Sequence, residues 1–267
     1  MNTEHIKELF STVKQRRPLV HHITNQVTIN DCANVTLAIG ASPVMAVSTE
    51  EMEDMIKLAD ALVINFGTIN DALYAAMIRA GRAANKKGIP VILDPVGVGA
   101  TRYRTEKAYG FLQLVKVNIV RGNSSEVNAL IGGEATTRGV DAGELSISNE
   151  ELALQASKKL NAITVISGKQ DVVANDEQII RIDNGHEWLT NVTGTGCMTG
   201  SLIGSFSGAT DDWFAAAVAG MSVMSLAGER TKKQLKESDG IGTFRVKLMD
   251  EIFQMTGQIW AEEVRLS

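Results

Sequence analysis

The sequence predicts an α/β fold, an open and mostly parallel central sheet with helices on both faces. Three observations carry this. Short apolar runs ended by Gly, Pro or Asn recur through the first two thirds of the 267 residues, helix-like segments separate them, and no internal repeat or low-complexity tract breaks the alternation. Such runs suit strands buried on both faces. Strand and helix in alternation build parallel βαβ units.

The strand runs are "ALVINFG" (61–67), "IPVILDP" (89–95), "VNIVRGN" (117–123) and "AITVISG" (162–168). Helices are expected at 70–88, 124–133 and 149–161. The first of these closes on Lys86, Lys87 and Gly88, a cationic last turn with a glycine stop. The second half changes character. The stretch 171–192 has two alternating runs around turn residues and reads as a hairpin. Segments 195–208 and 211–231 are rich in Ala, Gly, Ser and Met and read as closely packed helices, and a last helix is expected over about 244–262. The polar stretch 134–148 is long for a connection, so it is read as a functional loop or a surface insertion. No boundary divides the chain, and 1–267 is expected to form one domain.

Composition narrows the function. A chain 44% hydrophobic and 21% charged has the profile of a soluble globular protein. A net charge of −5, with 5% aromatic residues and no long basic run, argues against nucleic-acid binding. Two cysteines make no disulfide framework, and the polar start "MNTEHIKELFSTVKQRRPL" has no apolar core of a signal peptide. No stretch approaches 18 uninterrupted apolar residues, so no membrane span is expected. These features predict a cytoplasmic protein.

In open α/β sheets ligands bind beyond the carboxyl ends of the strands. That rule selects Asp94 after the second run, Arg121, Asn123 and Glu126 after the third, and Ser167-Gly168 after the fourth. The hairpin then leads into "NVTGTGCMTG" (191–200), a tight glycine-rich turn opening a helix with Cys197 inside it. Acid, cation, hydroxyl and helix start together suit a phosphate ester and a divalent ion. Each piece also has a plainer reading. Asp94 before Pro95 is equally a turn residue, and Arg121 taken alone reads first as a surface ion-pair partner. Glu126, three residues after Asn123, has the spacing of a capping box. Gly194 and Gly196 are also ordinary turn glycines. No G-x-x-x-x-G-K-[ST] loop, G-x-G-x-x-G turn or G-x-S-x-G elbow occurs, and Cys32, Cys197 and the four histidines lack zinc-ligand spacing. The adjacent His21 and His22 are read as structural.

"DPVGVGAT", "RGNSSE", "ISG" and "TGTGC", in this order, resemble the hydroxyethylthiazole kinases, a branch of the ribokinase-like fold. The block "PLVHHITNQVTINDCANVTLAIGASPVMA" (18–46) is similar to the same family, and the likeness runs over almost the whole chain. The resemblance implies a ribokinase-like three-layer α/β/α fold. It also implies transfer of the γ-phosphate of ATP to the alcohol of 4-methyl-5-(2-hydroxyethyl)thiazole, a thiamine precursor. Carried over residue by residue, it places Met45, Gly194 and Asn25 on the thiazole, and Arg121 and Ser167 on ATP. Asp94 and Glu126 fall near magnesium, with Cys197 where most ribokinase-like enzymes have an aspartate base. It further implies a homotrimer with sites at subunit interfaces, where Asn25 and Met45 face a neighbour's catalytic residues. No role attaches to the "DAG" at 141–143. A hydroxymethylpyrimidine kinase of the same fold, a cysteine-nucleophile hydrolase or transferase and a non-catalytic nucleotide sensor are the competing readings.

A helix start favours negative charge, which suits a γ-phosphoryl group in transfer, and the same field is expected to lower the Cys197 pKa. Glycines 194 and 196 are expected to let the backbone approach the phosphate. Met45 suits an aromatic ring through its thioether.

Overall fold

Eight strands form one sheet in the order β2-β1-β3-β4-β5-β6-β7-β8 in the computed structural model, which describes residues 3–133 and 147–267. The strands are β1 (Leu19–Ile23), β2 (Ser42–Val44), β3 (Ala61–Asn65), β4 (Val91–Asp94), β5 (Ile119–Asn123), β6 (Ile163–Ser167), β7 (Asp171–Ala174) and β8 (Ile179–Ile182). Strands β1 to β6 are parallel, and β7 and β8 add an antiparallel edge. All four apolar runs read from the sequence are strands. The "DAG" and nearly all of the 134–148 connection lie outside the described residues.

Alternation along the strands divides the core into layers. Val20, Ala61, Val63, Ile92, Ile119 and Val165 face one side. There they meet α1 (Thr3–Arg16), α2 (Ile29–Ile39), α8 (Thr195–Ser207), α9 (Trp213–Gln234), α10 (Ile241–Gln254) and α11 (Gly257–Glu263). Leu62, Ile64, Val91, Leu93 and Val120 face the other. They pack on α3 (Met52–Leu58), α4 (Asp71–Lys87) and α5 (Arg102–Leu114), while α6 (Ser124–Leu130) and α7 (Asn149–Leu160) continue that layer over β6 and β7. The result is the expected α/β/α arrangement.

The Ala/Gly/Ser/Met helices α8 and α9 are the most tightly packed pair. A β-carbon at Gly220 would lie 2.5 Å from the backbone nitrogen of Ile203, and one at Gly204 would lie 2.5 Å from Val63. Small residues there let helix meet helix and helix meet sheet. Among the described residues no helix is long and apolar enough to cross a membrane.

Two expected elements differ. The hairpin pairing ends at Ile182, and Glu187–Asn191 forms a 3-10 helix, its first turn capped where His186 Nδ1 accepts from Trp188 N–H. The expected last helix is two helices. Thr256 Oγ1 accepts from Ile259 N–H and starts α11 afresh, while Gly257 packs so closely on Lys7 of α1 that a β-carbon there would fall 2.1 Å from the Lys7 carbonyl oxygen. The break seats α11 against α1.

Candidate active site

The sheet order reverses at β1, which lies between β2 and β3, so the crevice between the ends of β1 and β3 is a topological switch point. Asn25 follows β1, Asn65 ends β3 and Asp94 ends β4. Cys197, in the first turn of α8, completes the group.

The two asparagines are locked by their surroundings. Asn65 Oδ1 accepts the backbone N–H of Gly67 at 2.8 Å, so its Nδ2 must face the other way. That nitrogen donates to Asp94 Oδ2 at 2.8 Å and to Cys197 Sγ at 3.3 Å. Asn25 Oδ1 accepts N–H from Val27 and Thr28, which turns its Nδ2 toward Asn65 Oδ1 at 2.9 Å and Cys197 Sγ at 3.3 Å. The sulfur therefore receives two amide donors, and its own proton has to point elsewhere. Asn25 reaches this chain's own Cys197, which corrects the expectation that it faces a neighbour's catalytic residues. Its side chain is 3% exposed, and both ends of its amide are engaged.

Cys197 is not a ready thiolate. Burial, and then the negative charge of Asp94, push its pKa up, against smaller lowering by Thr28, Arg121 and Asn25. The expected lowering is thus overturned: burial and the carboxylate set the direction. None of the four histidines is hydrogen-bonded to Cys197, whose sulfur partners are Asn25 and Asn65. His21 and His22 are buried on β1 and bonded to the backbone oxygens of Ala46 and Val20, His5 pairs with Asp212, and His186 caps the 3-10 turn.

On the other side of α8 the arrangement is less complete. Arg121 Nη2 donates to Ser167 Oγ at 2.9 Å, and Nη1 lies 3.8 Å from Asp94 Oδ1 without a hydrogen bond. Asp94 Oδ1 and Arg121 Nε are both buried with no hydrogen-bond partner. The guanidinium presses on the start of α8, since a β-carbon at Gly196 would fall 2.5 Å from Nη1. A cation at the positive end of a helix is unfavourable unless an anion joins them. Gly196 also admits Arg121. Gly194 has φ +93° and packs on Thr28, 2.7 Å from where its β-carbon would be. Burial, opposed by Arg121, raises the Asp94 pKa to about 7.

Glu126 is 4% exposed and does form the capping box, accepting Asn123 N–H at 2.9 Å on Oε2, while Oε1 accepts Gly97 N–H at 2.9 Å. Capping leaves each oxygen a further lone pair. Among the described residues no three His, Cys, Asp or Glu side chains are grouped to hold a metal. Asp94 and Glu126, one with an unpartnered oxygen, nevertheless fit magnesium, which needs one or two carboxylates and takes its other oxygens from phosphates and water.

Arg121, Asn123, Ser167 and Gly196 open into a cleft of about 810 Å³. Leu189, Met221 and Met224 give it apolar wall, and Asn184 and His186 give it polar wall. Asp171 lies in it, 5% exposed, accepting Ser225 Oγ at 2.5 Å and Gly168 N–H at 3.0 Å, and burial raises its pKa to about 6. Met45 is half-buried and directly follows the edge strand β2. Asn65 and Asp171 went unread in the sequence. The strand-end rule applied to "ALVINFG" selects Asn65, whereas nothing local marks Asp171.

A model of the hydroxyethylthiazole kinase family matches residues 10–258. The chain is 45% identical to the hydroxyethylthiazole kinase of Ruminiclostridium cellulolyticum, over 99% of this chain and 98% of that one. The structure of a hydroxyethylthiazole kinase protein from Pyrococcus horikoshii superposes with a TM-score of 0.89 at 36% identity, covering 99% and 98% of the two chains. A ribokinase-like superfamily protein from Enterococcus faecalis, 12% identical with a TM-score of 0.64 over 96% of each chain, shares the fold alone. Sequence and fold agree: this chain belongs to the hydroxyethylthiazole kinase family.

Proposed function

We propose that this chain, acting as one kinase domain, transfers the γ-phosphate of ATP to the hydroxyl of 4-methyl-5-(2-hydroxyethyl)thiazole, giving the monophosphate used in thiamine biosynthesis or salvage. The observation that carries the reading is the buried Arg121 guanidinium, set against the start of α8 with Nε unpartnered. Two positive features converge where a phosphate would join them.

ATP lies in the cleft of Arg121 and Ser167, its base toward Leu189, Met221 and Met224. Its γ-phosphate meets the N–H groups that the first turn of α8 leaves without intrahelical partners. Asp94 and Glu126 hold magnesium, directly or through its waters; when bound, the ion neutralises charge on the phosphates. The thiazole alcohol lies on the Asn25 and Gly194 side, its hydroxyl toward Cys197. Only the thiolate form of Cys197 can accept the hydroxyl proton, and its raised pKa keeps that form scarce; the proton therefore leaves late in the transfer, since loose phosphoryl transfer depends mainly on positioning. Met45, outside the amide cluster, contacts substrate from the edge of a neighbouring subunit in a homotrimer, and the enzyme works in the cytoplasm.

ADP release with magnesium and ATP tests the reading, with hydroxyethylthiazole, hydroxymethylpyrimidine and ribose in parallel. Release that depends on the thiazole, with a phosphorylated product by mass, supports it. Stimulation by another alcohol alone keeps the fold and overturns the substrate.

A further inference from the structure

Arg104 lies at the third position of α5, an unfavourable place for a cation, since the start of a helix carries positive partial charge. Among the described residues it has no ion-pair partner. Its side chain runs back over Gly97, where φ is +75° and a β-carbon would lie 3.1 Å from Arg104 Cδ. The guanidinium ends on three backbone oxygens: Nη1 donates to Phe66 and Val96, the latter at 2.9 Å, and Nη2 donates to Gly67 at 2.7 Å.

Two of those carbonyls share a peptide unit with the N–H groups that fix the site. The Phe66 carbonyl belongs to the same peptide as the Gly67 N–H, which donates to Asn65 Oδ1 at 2.8 Å. The Val96 carbonyl belongs to the same peptide as the Gly97 N–H, which donates to Glu126 Oε1 at 2.9 Å. A trans peptide is planar, with C=O and N–H pointing in opposite directions. Holding the oxygen therefore aims the hydrogen, and a donor on the oxygen polarises the N–H.

We infer that Arg104 is a positioning residue: through one nitrogen and two peptide units it sets the orientation of the Asn65 amide and the Glu126 carboxylate together. The consequence reaches further, since Asn65 in turn holds Asp94 Oδ2 and Cys197 Sγ. One guanidinium, touching no substrate, thus aligns both metal-side carboxylates and the proton acceptor. Lysine cannot replace it fully, because a single ammonium lacks the planar fork that spans three carbonyls.

The kinetic half of the test rests on the kinase reading, and the exchange half does not. Amide hydrogen exchange is followed in the full chain over 66–68 and 96–98, for the unaltered protein, Arg104→Ala and Arg104→Lys. Thiazole-dependent ADP release is measured across magnesium concentrations. In Arg104→Ala both segments should exchange faster together, with the centre of the sheet unchanged. Outer-shell losses suggest a kcat lower by about 10–100-fold and a higher half-saturating magnesium concentration, with KM for ATP moving by no more than about threefold. Arg104→Lys should fall between, and it carries the same test if Arg104→Ala does not fold. Unchanged exchange at the two segments overturns the inference. So does a lowered melting temperature with kcat and magnesium dependence intact, since that is what a purely structural arginine gives. An unaltered protein that releases no ADP while the two segments respond as expected would overturn the kinase reading alone.

Discussion

The two sides of the α8 start are built on opposite plans. On the acceptor side, Asn25 and Asn65 are satisfied by backbone N–H groups and by each other, and every amide group faces a defined partner. On the donor side, Arg121 Nε and Asp94 Oδ1 are buried without hydrogen-bond partners beside an open cleft. The two charges face each other only loosely, at 3.8 Å, and a buried charged atom without a hydrogen bond costs more than a neutral one. The donor side therefore holds its charge for something that arrives with more charge, while the acceptor side holds a fixed shape for a neutral alcohol. The two sides meet at Asp94, which Asn65 grips on one oxygen and Arg121 faces with the other.

The comparison breaks most sharply at Arg121. Arg121→Ala should lower kcat/KM for ATP by about 10²–10³, the scale of losing one preorganised donor, and leave KM for the thiazole nearly unchanged in initial-rate assays. Asn65→Ala comes next. It frees Asp94 Oδ2, the Gly67 N–H and Cys197 at once, so kcat should fall by about 10–100-fold with ATP affinity retained, and the melting temperature should drop as buried groups lose partners. Cys197→Ser should cost less than about 10² in kcat, because the thiol is a poor base and the hydroxyl keeps a place in the same donor pair. A complete loss of turnover with nucleotide binding intact would show that the sulfur is essential.

The smallest effect concerns stability on the donor side. The Asp171 pKa is raised by burial from its ordinary 3.8 to about 6, so the folded protein keeps this proton to higher pH than the unfolded chain. The stability from that proton is fully present below pH about 4 and lost as pH rises through about 6, falling by about 1.4 kcal/mol for each pH unit in between. Asp94, raised to about 7, works in the same direction and extends the loss upward. Asp171→Asn should flatten the denaturant-midpoint profile between pH 4 and 6 without abolishing the slope above it.

How much of this was legible follows from the same contrast. The strands could be read because apolar runs ended by turn residues report burial locally, and the α8 start because glycines cluster there. The strand-end rule found Asp94, Arg121, Glu126 and Ser167, since position along the chain nearly fixes position on a sheet edge. The acceptor corner was not readable as a unit. Residues 25, 65, 94 and 197 meet only after five parallel crossovers and two antiparallel turns, and orientation there depends on the peptides at Gly67 and Thr28, which no side-chain pattern announces. The Cys197 thiol was misjudged for the same reason. Its helix is local and visible in sequence, but burial and the Asp94 charge come from elsewhere in the fold. The split of the last helix also depended on a distant partner, the Lys7 backbone against Gly257.

The central claim is that donor and acceptor sides are separately built halves of one kinase site. Calorimetric titration of Arg121→Ala and Asn65→Ala with magnesium-ATP, and separately with hydroxyethylthiazole, tests it most directly. The account predicts that Arg121→Ala loses nucleotide affinity and keeps thiazole affinity, whereas Asn65→Ala keeps nucleotide affinity and weakens the thiazole. Equal loss of both ligands in both variants would contradict it.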